Sequence, residues 1–409
     1  MSIPNSSSTT PDPAAPPRSA ITGQPLGTPI FRSVLAVSVT SLSRTVPGPT
    51  ELFLDESCGH LQTAPLPDAG AYYDTGYRII DASDEDDVLH DVVDGRCVYR
   101  QSSQEAALRA TVGIRAGMRI LDYGCGKGTV MKRLLASEPG LQGFLYDISR
   151  TYEPLWARFL PAERFASYRL RPEWSGTFDV VTSFFSLEHA INPVAELQAI
   201  RGLLRAGGTA FVIVPDAEAN PADMVVVDHA HHYSEPSLRL AFTAAGLRAT
   251  RIARDIHAGA IVATAIPASP GDTVPVPATA EVTRANEVFR VLARYWTEMQ
   301  ARVRALEAGR AGSPRAIYGA GVYGTFIAAC LERPGEVACF VDRNPLLHGA
   351  PHLGLPVVPP ARLPQEVRAV YAGLNPASAR RVLSEVAEWR GRELEFLFLP
   401  EFSPRAPVS

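Results

Sequence analysis

The 409-residue sequence lacks several features that would place it in a class of proteins at once. No apolar run approaches the roughly 18 residues that indicate a membrane span. The N-terminus has no basic start followed by an apolar stretch, as a secretory signal has. Five cysteines in a chain of this length do not predict a disulfide framework. We therefore expect a cytoplasmic protein that contacts no membrane.

An excess of positive charge is also missing. The chain has 39 Lys and Arg against 43 Asp and Glu, a net charge of −4. Nucleic-acid binding needs a basic surface to neutralise phosphates, so we expect no nucleic-acid partner. Hydrophobic residues make up 46% of the chain, which is enough to build real cores. At roughly 150 residues per domain, the length predicts two to three domains.

Proline is abundant, and its placement predicts the domain boundaries. A leader rich in Pro and Ser cannot bury enough apolar surface to offset its ordering entropy, so we predict that it is disordered. Two regions further along alternate apolar strands with helices, which predicts parallel sheets. The predicted organisation is a disordered leader, a small N-terminal cap, a first α/β domain, a Pro-rich linker, and a long helix with a smaller α/β lobe: 1–28, 29–100, 101–266, 267–280 and 281–409.

A glycine-rich turn follows the first strand of the larger α/β domain. Asp122 precedes glycines at alternate positions, Gly124, Gly126 and Gly128, just before a predicted helix. Such glycines let backbone N–H groups approach a ligand at a helix N-terminus. About twenty residues later Asp147 ends the next strand, where an acid can bind a ribose diol. A tight structural turn is the alternative for the glycines alone.

This pattern resembles the first motif of class I S-adenosylmethionine-dependent methyltransferases. The resemblance continues through Asp147, the stretch 178–185 and the turn 203–208, and covers roughly residues 105–265. It implies S-adenosylmethionine as the cofactor, with Gly124 and Gly126 against its methionine part and Asp147 at its ribose. Adenine contacts are expected from 172–174. The expected cofactor-binding residues are Asp122, Gly124, Cys125, Gly126, Gly128, Asp147, Ile148, Trp174, Ser183 and Phe184.

Two residue types in this region admit more than one interpretation. We interpret Cys125 as a small residue that fills the turn, because nothing adjacent supplies a base to activate a thiol. Histidines cluster in 228–234, where they favour a general base near neutral pH over a metal site or a plain surface loop. Glu188 and His189 follow the fourth strand, where a capping or core role is as plausible as contact with a substrate.

The C-terminal lobe opens with a second glycine pattern. Gly319-x-Gly321-x-x-Gly324 follows a strand, and Asp342 comes about twenty residues later, as in dinucleotide-binding folds. With the methyltransferase core, this order resembles the three-module C-methyltransferases of nucleotide-linked keto-deoxysugars. The fold class is therefore predicted as α/β, with a Rossmann-like methyltransferase core, a small N-terminal cap and a smaller Rossmann-like C-terminal lobe.

That resemblance implies a small-molecule, nucleotide-linked acceptor and an enolate formed by a histidine base. It assigns His232 as the base, with His231, Tyr233 and Tyr73 as further catalytic residues. The family's N-terminal module binds zinc through paired cysteines. Here Asp55 stands at one of those positions and Cys58 has no partner nearby, so we expect no zinc and no other metal.

Three other functions remain open from the sequence. An O- or N-methyltransferase of a small metabolite would use the same cofactor site. An oxidoreductase that binds NAD or a nucleotide sugar would use the C-terminal glycine turn. A pseudoenzyme would follow from the degenerate N-terminal module. The sequence does not indicate an oligomeric state.

Overall fold

We analysed a computed structural model of the chain, which describes residues 17–66, 72–73, 77, 79, 89–93, 96–269, 271–272, 277–310 and 312–404. The first sixteen residues of the predicted leader and part of the predicted linker lie outside the described residues. So do Asp74, Thr75 and Gly76 of the tyrosine-rich segment. None of the described helices is long and apolar enough to cross a bilayer.

The N-terminal region is built from short strands, most of them antiparallel. In its main sheet β4 and β5 form a hairpin that pairs with β1 on one side and with β13, His231–His232, on the other. The sheet order is β1-β4-β5-β13, so its last strand comes from far along the chain. The strands are β1 Phe31–Arg32, β2 Val37–Val39, β3 Thr45–Pro47, β4 Glu51–Asp55, β5 His60–Thr63, β6 Leu89–Val93 and β7 Arg96–Tyr99.

The middle region alternates strands and helices, as predicted. Its elements are α1 Arg100–Thr111, β8 Arg119–Tyr123, α2 Thr129–Ser137, β9 Gln142–Asp147, α3 Glu153–Trp156, β10 Phe165–Ser167, β11 Phe178–Phe184, α4 Pro193–Leu203, β12 Leu204–Pro215, β13 His231–His232, α5 Glu235–Ala244, β14 Leu247–Ala253 and β15 Ala260–Pro267. Seven strands form one sheet in the order β10-β9-β8-β11-β12-β15-β14. The first five are parallel, and β15 and β14 close the sheet antiparallel.

Local sequence explains these elements. Strand β11 is mostly buried and has four apolar residues of seven, as expected for a central parallel strand covered on both faces. Helix α4 starts after Asn192, whose side chain accepts a hydrogen bond from the amide of Ala195 at 3.0 Å, and Pro193 occupies the first helical position. The parallel order brings the carboxyl ends of β8, β9 and β11 to one edge, where ligands bind in such sheets.

The C-terminal region begins with a long helix and ends in a second sheet, which is parallel except for the antiparallel edge strand β18. Its elements are α6 Thr279–Ala308, β16 Arg315–Tyr318, α7 Val322–Cys330, β17 Val337–Val341, β18 Pro351–His352, β19 Leu355–Val358, β20 Ala369–Ala372, α8 Pro376–Ser384 and β21 Glu395–Leu397. The sheet order is β18-β19-β17-β16-β20-β21. The predicted fold class, with its Rossmann-like core and second lobe, is confirmed.

One hydrophobic core joins the N-terminal region to the C-terminal lobe. Leu52 of β4, Leu292 and Trp296 of α6, and Ile317 and Phe340 of the C-terminal sheet belong to the same buried cluster. The long helix therefore packs against both regions and fixes one on the other.

The prediction of a disordered leader is wrong for residues 17–28. Ile21 and Leu26 are buried, and the amide of Ala20 donates to Oε1 of Gln62 at 3.0 Å. Composition could not show this, because the contacts that fix the segment are distant in sequence: Ile21 belongs to the buried cluster of the middle region, and Gln62 of β5 forms hydrogen bonds with the segment.

Candidate active site

A cavity of about 540 Å³ lies at the carboxyl edge of the seven-stranded sheet. Its wall includes the turn after β8, the end of β9 and the end of β11. Eight of the ten expected cofactor-binding residues line it: Asp122, Gly124, Cys125, Gly126, Asp147, Ile148, Ser183 and Phe184. The glycine turn and the second-strand acid therefore face one space.

The glycine turn requires glycine for steric reasons. Gly124 has φ +75°, and a Cβ placed there would lie 2.0 Å from Oγ of Ser186. The assignment of Gly128 to the cofactor is wrong. Gly128 does not line the cavity but caps the start of helix α2 with φ +71°. A Cβ on Gly128 would meet Cδ1 of Leu145 at 2.8 Å, so its role is close packing of the helix on the strand.

Asp147 holds the turn as well as facing the cavity. Its Oδ2 accepts the amide of Gly126 at 2.9 Å, and its Oδ1 accepts the amide of Ser149 at 3.0 Å. Burial raises the pKa of Asp147, although these amides oppose the shift. Burial likewise raises the pKa of Asp122 to about 7, and the hydroxyl of Thr182 donates to this carboxyl at 3.0 Å. Both acids are fixed by donors on neighbouring strands or turns.

Trp174 does not lie where the sequence predicted. Its ring is buried and packs edge-on against Phe144 and Phe178, with centroid distances of 5.6 and 6.0 Å. The assignment of Trp174 to the cofactor is therefore wrong, because its ring packs in the hydrophobic core and does not reach the cavity. Two exposed apolar side chains line the cavity instead, Ile148 at 51% and Tyr168 at 46% exposure. They present apolar surface that suits an adenine ring.

Two basic side chains also line the cavity, and the sequence analysis missed them. Arg100 is the first residue of α1, and Lys127 lies in the glycine turn with only 6% of its surface exposed. Their charge is opposite to that of the carboxylate in S-adenosylmethionine. No motif marks Arg100, since it depends on how α1 packs beside β8.

Aromatic rings and an imidazole form the other side of the cavity, which we call the polar wall: Tyr73, Tyr77 and His189. The hydroxyl of Tyr73 donates to the backbone oxygen of Asp228 at 2.7 Å, and Nδ1 of His189 lies 2.8 Å from the same oxygen. Burial, followed by the charge of His229, lowers the pKa of His189 to about 4, so the imidazole is neutral at pH 7.

The other predicted catalytic residues do not line the cavity. Strand β13 buries His231 and His232 by pairing with β5 of the N-terminal sheet. In His232, Nδ1 lies 2.7 Å from Oδ2 of Asp223, and Nε2 lies 3.0 Å from Oγ1 of Thr63. With both nitrogens engaged and the side chain fully buried, His232 is not a base that contacts an acceptor, and that assignment is wrong.

His231 and Tyr233 need the same correction. Nε2 of His231 contacts the backbone oxygen of Ala190 at 2.9 Å, and its Nδ1 lies 3.0 Å from Nε2 of His60. The hydroxyl of Tyr233 donates to the backbone oxygen of Leu187 at 3.3 Å. These contacts fix the strand in the core, so both residues are structural rather than in contact with a ligand.

Behind the polar wall lies a buried ionisable cluster that the sequence analysis did not assemble. Nδ1 of His229 contacts Oδ1 of Asp223 at 2.5 Å, and the rings of His229 and His189 are 4.8 Å apart. Burial alone would lower the pKa of His229, but the Asp223 carboxylate outweighs it and raises the pKa to about 9. Burial also raises the pKa of Glu188 to about 8.

The second glycine turn, in the C-terminal lobe, has an arrangement like that of the first. Oδ2 of Asp342 accepts the amide of Ala320 at 2.9 Å, as Asp147 accepts that of Gly126. Glycine is required at position 324 by packing, because a Cβ there would lie 1.9 Å from the backbone oxygen of Gly319.

In the N-terminal region, Asp55 accepts hydrogen bonds from the hydroxyls of Ser57 and Thr22.

Comparison with known proteins agrees with the geometry of the cavity. A family model described as a methyltransferase domain matches residues 96–252. Ubiquinone biosynthesis O-methyltransferases from Xanthomonas campestris and Aromatoleum aromaticum are 35% and 30% identical over 107 and 106 residues. Each match covers 24% of this chain, and 42% and 43% of the relative, so the chain spans less than half the length of these relatives.

Solved methyltransferase structures align with about two fifths of the chain. An S-adenosylmethionine-dependent methyltransferase from Mesorhizobium loti is 15% identical with a TM-score of 0.33, covering 40% of this chain and 97% of that one. One from Aquifex aeolicus is 18% identical with a TM-score of 0.34, covering 41% and 93%. The family match and the cavity concern the same region, so residues 96–252 match a methyltransferase domain and include most of the residues that line the cavity.

Proposed function

We propose that the protein transfers the methyl group of S-adenosylmethionine to carbon, next to the keto group of a nucleotide-linked deoxysugar or a related small intermediate. One observation supports this most directly. A single cavity has the glycine turn and Asp147 on one side and the polar wall of Tyr73, Tyr77 and His189 on the other. A methyl donor and an oxygen-bearing acceptor therefore have complementary places within reach of each other.

The reaction makes modest demands on the protein. The bond between the methyl carbon and the sulfonium sulfur breaks as the bond to the acceptor forms, and S-adenosylhomocysteine leaves with a neutral sulfur. Most of the rate can come from holding the two reactants about 3 Å apart and in line. The buried Asp122 and the part-buried Asp147 fix the donor side of the cavity, while the polar wall positions the acceptor.

Methylation at carbon adds a further requirement. The proton on that carbon must first pass to a base, here a water molecule in the cavity, and the negative charge that develops on the keto oxygen must be stabilised in the transition state. The polar wall provides the environment for that oxygen. The order of the three regions along the chain supports a sugar acceptor, since it resembles the C-methyltransferases of keto-deoxysugars.

Methylation at oxygen is the second candidate, and one observation favours it. The curated relatives with 35% and 30% identity are named as ubiquinone biosynthesis O-methyltransferases. The same cavity would serve a hydroxyl acceptor, which needs no carbon deprotonation.

The two candidates differ in a reaction that needs no methyl donor. We would incubate the protein in D₂O with nucleotide-linked keto-deoxysugars and follow deuterium at the carbon next to the keto group by NMR. We would then add S-adenosylmethionine with a ¹³C methyl group and locate the label in the product. Deuterium uptake and a new C–CH₃ group are expected, whereas an O–CH₃ product without uptake would overturn methylation at carbon.

A matched variant separates the two halves of the cavity. Asp147→Asn should reduce methyl transfer at limiting S-adenosylmethionine while leaving deuterium uptake at the wild-type rate. If the exchange rate fell equally, exchange and methyl transfer would not be separable steps at the two sides of the cavity.

A further inference from the structure

Two buried side chains, Glu188 and His229, meet the part-buried His189 at the back of the polar wall. Each offers one atom that can bind a metal, and the three atoms lie within 4.8 Å of one another. Ligands about 2.0 to 2.2 Å from one ion are up to about 4.4 Å apart. The three atoms therefore fit around one metal ion once the largest distance between them shortens slightly.

The two imidazoles are oriented as metal-binding histidines are. Nδ1 of His229 is held at 2.5 Å by Oδ1 of Asp223, and Nδ1 of His189 is held at 2.8 Å by the backbone oxygen of Asp228. An acceptor at Nδ1 fixes the ring and leaves Nε2 as the nitrogen that can bind a metal. Carboxylates and backbone carbonyls play this part beside histidine ligands in metalloproteins.

Glu188 supplies the independent observation. Only 1% of the residue is exposed, and its Oε2 is buried and has no hydrogen-bond partner among the residues that the structure describes. A buried carboxylate oxygen without a partner is costly, and proteins usually satisfy such an atom with a donor or a cation. Glu188 belongs to the same group of metal-binding side chains as the two histidines.

We propose that Glu188, His189 and His229 bind one divalent transition-metal ion. Two imidazoles and one carboxylate are ligands that suit Zn²⁺, Fe²⁺, Co²⁺ or Mn²⁺ better than Mg²⁺ or Ca²⁺, which prefer oxygen ligands. Three protein ligands leave positions for water or for a substrate oxygen.

The location of this site gives the ion a use that rests on the proposed function. His189 lines the cavity, so the ion lies at its border and can take the acceptor oxygen as a further ligand. A metal ion polarises a carbonyl or lowers the pKa of a hydroxyl bound to it. Either effect would favour an acceptor that carries oxygen at or next to the methylated atom.

The test measures metal binding on the full chain without cofactor or acceptor. Metal-free protein would be titrated with Co²⁺, with absorption spectroscopy and isothermal titration calorimetry as readouts. Wild type should bind one ion per chain. Glu188→Gln and His229→Asn should each weaken binding at least tenfold, and Asp223→Asn by about ten- to a hundredfold through the loss of the acceptor at His229. His348→Gln, in the C-terminal lobe, should bind as wild type does.

A second readout needs no variant. Pulsed EPR of wild type loaded with Cu²⁺ should show two histidine nitrogens coupled to the ion. No stoichiometric binding, fewer than two coupled nitrogens, or full affinity in both Glu188→Gln and His229→Asn would each overturn the site. Because no step involves methyl transfer, failure here leaves the proposed reaction untouched, and a protein that binds the ion but methylates nothing contradicts only the reaction.

Discussion

Asp147 and Asp342 have equivalent positions in two different sheets, and the pair allows a controlled test of the cofactor site. Asp147 is the last residue of β9 and Asp342 directly follows β17, and each accepts an amide of a glycine turn at 2.9 Å. Only Asp147 lines the cavity. We expect Asp147→Asn to weaken S-adenosylmethionine binding by about ten- to a hundredfold, since hydrogen bonds to a charged group contribute about 1.5 to 3 kcal/mol. Calorimetry should show no change in Asp342→Asn, and a comparable loss there would contradict the assignment.

Gly124 allows the effect of crowding to be separated from that of backbone strain. Ala at Gly124 would place Cβ 2.0 Å from Oγ and 2.7 Å from Cβ of Ser186, in a backbone with φ +75°. Gly176 has φ +67° and nothing within 4 Å of such a Cβ. Gly176→Ala should therefore cost only the left-handed strain, about 1 to 2 kcal/mol. Gly124→Ala should lower Tm further and weaken cofactor binding more than tenfold, and equal losses in the two variants would contradict this.

At the level of strands and helices, the sequence predicted what is local and missed what depends on distant pairing. The glycine turn and Asp147 follow their strands directly, so a linear pattern was enough to find them. His232 was misassigned because β13 pairs with β5, some 170 residues earlier, and turns its side chain into the core. The sequence left His189 open between a capping or core role and contact with a substrate, because its place on the cavity wall depends on contacts with Asp228 and Tyr73.

That distant strand pairing can be tested at Thr63. Its hydroxyl donates to the backbone oxygen of His229 at 2.6 Å and lies 3.0 Å from Nε2 of His232. Thr63→Val keeps the shape but leaves both buried groups without this partner, which should cost about 1 to 3 kcal/mol in the free energy of unfolding by urea. Thr297→Val, on an exposed part of α6, should change it by less than about 0.5 kcal/mol. An unchanged free energy of unfolding in Thr63→Val would mean that the strand pairing does not depend on this hydroxyl.

In the molecule as a whole, the C-terminal lobe supports the back of the active site. The hydroxyl of Tyr323 accepts the amide of Ala222 at 3.2 Å, and the indole of Trp296 donates to the backbone oxygen of Pro221 at 2.8 Å. Pro221 and Ala222 immediately precede Asp223, whose carboxylate contacts both His229 and His232. The N-terminal strand β5 and the C-terminal lobe thus meet on one segment of the methyltransferase domain, which explains why the three regions form one structure.

The contact between the N-terminal region and the C-terminal lobe should weaken in acid through His352. Nε2 of His352 lies 2.8 Å from Oγ1 of Thr325, and that hydroxyl also lies 3.1 Å from the backbone oxygen of Ser43. Burial lowers the pKa of His352 from 6.5 to about 4. The folded state then binds fewer protons than the unfolded state, so this contribution to stability is complete above pH 6.5 and is lost as the pH falls towards 4.

We expect His352→Gln to remove that dependence, because glutamine keeps a polar group near Thr325 without titrating. The free energy of unfolding of wild type should fall more steeply than that of His352→Gln between pH 6.5 and 4, by about 1 to 2 kcal/mol once partial exposure is allowed for. Other buried histidines act equally on both proteins, so the difference between the two urea-unfolding curves isolates His352. Parallel curves across this range would show that the pKa of His352 is the same in the folded and unfolded states. The contact between the two regions would then not depend on its titration.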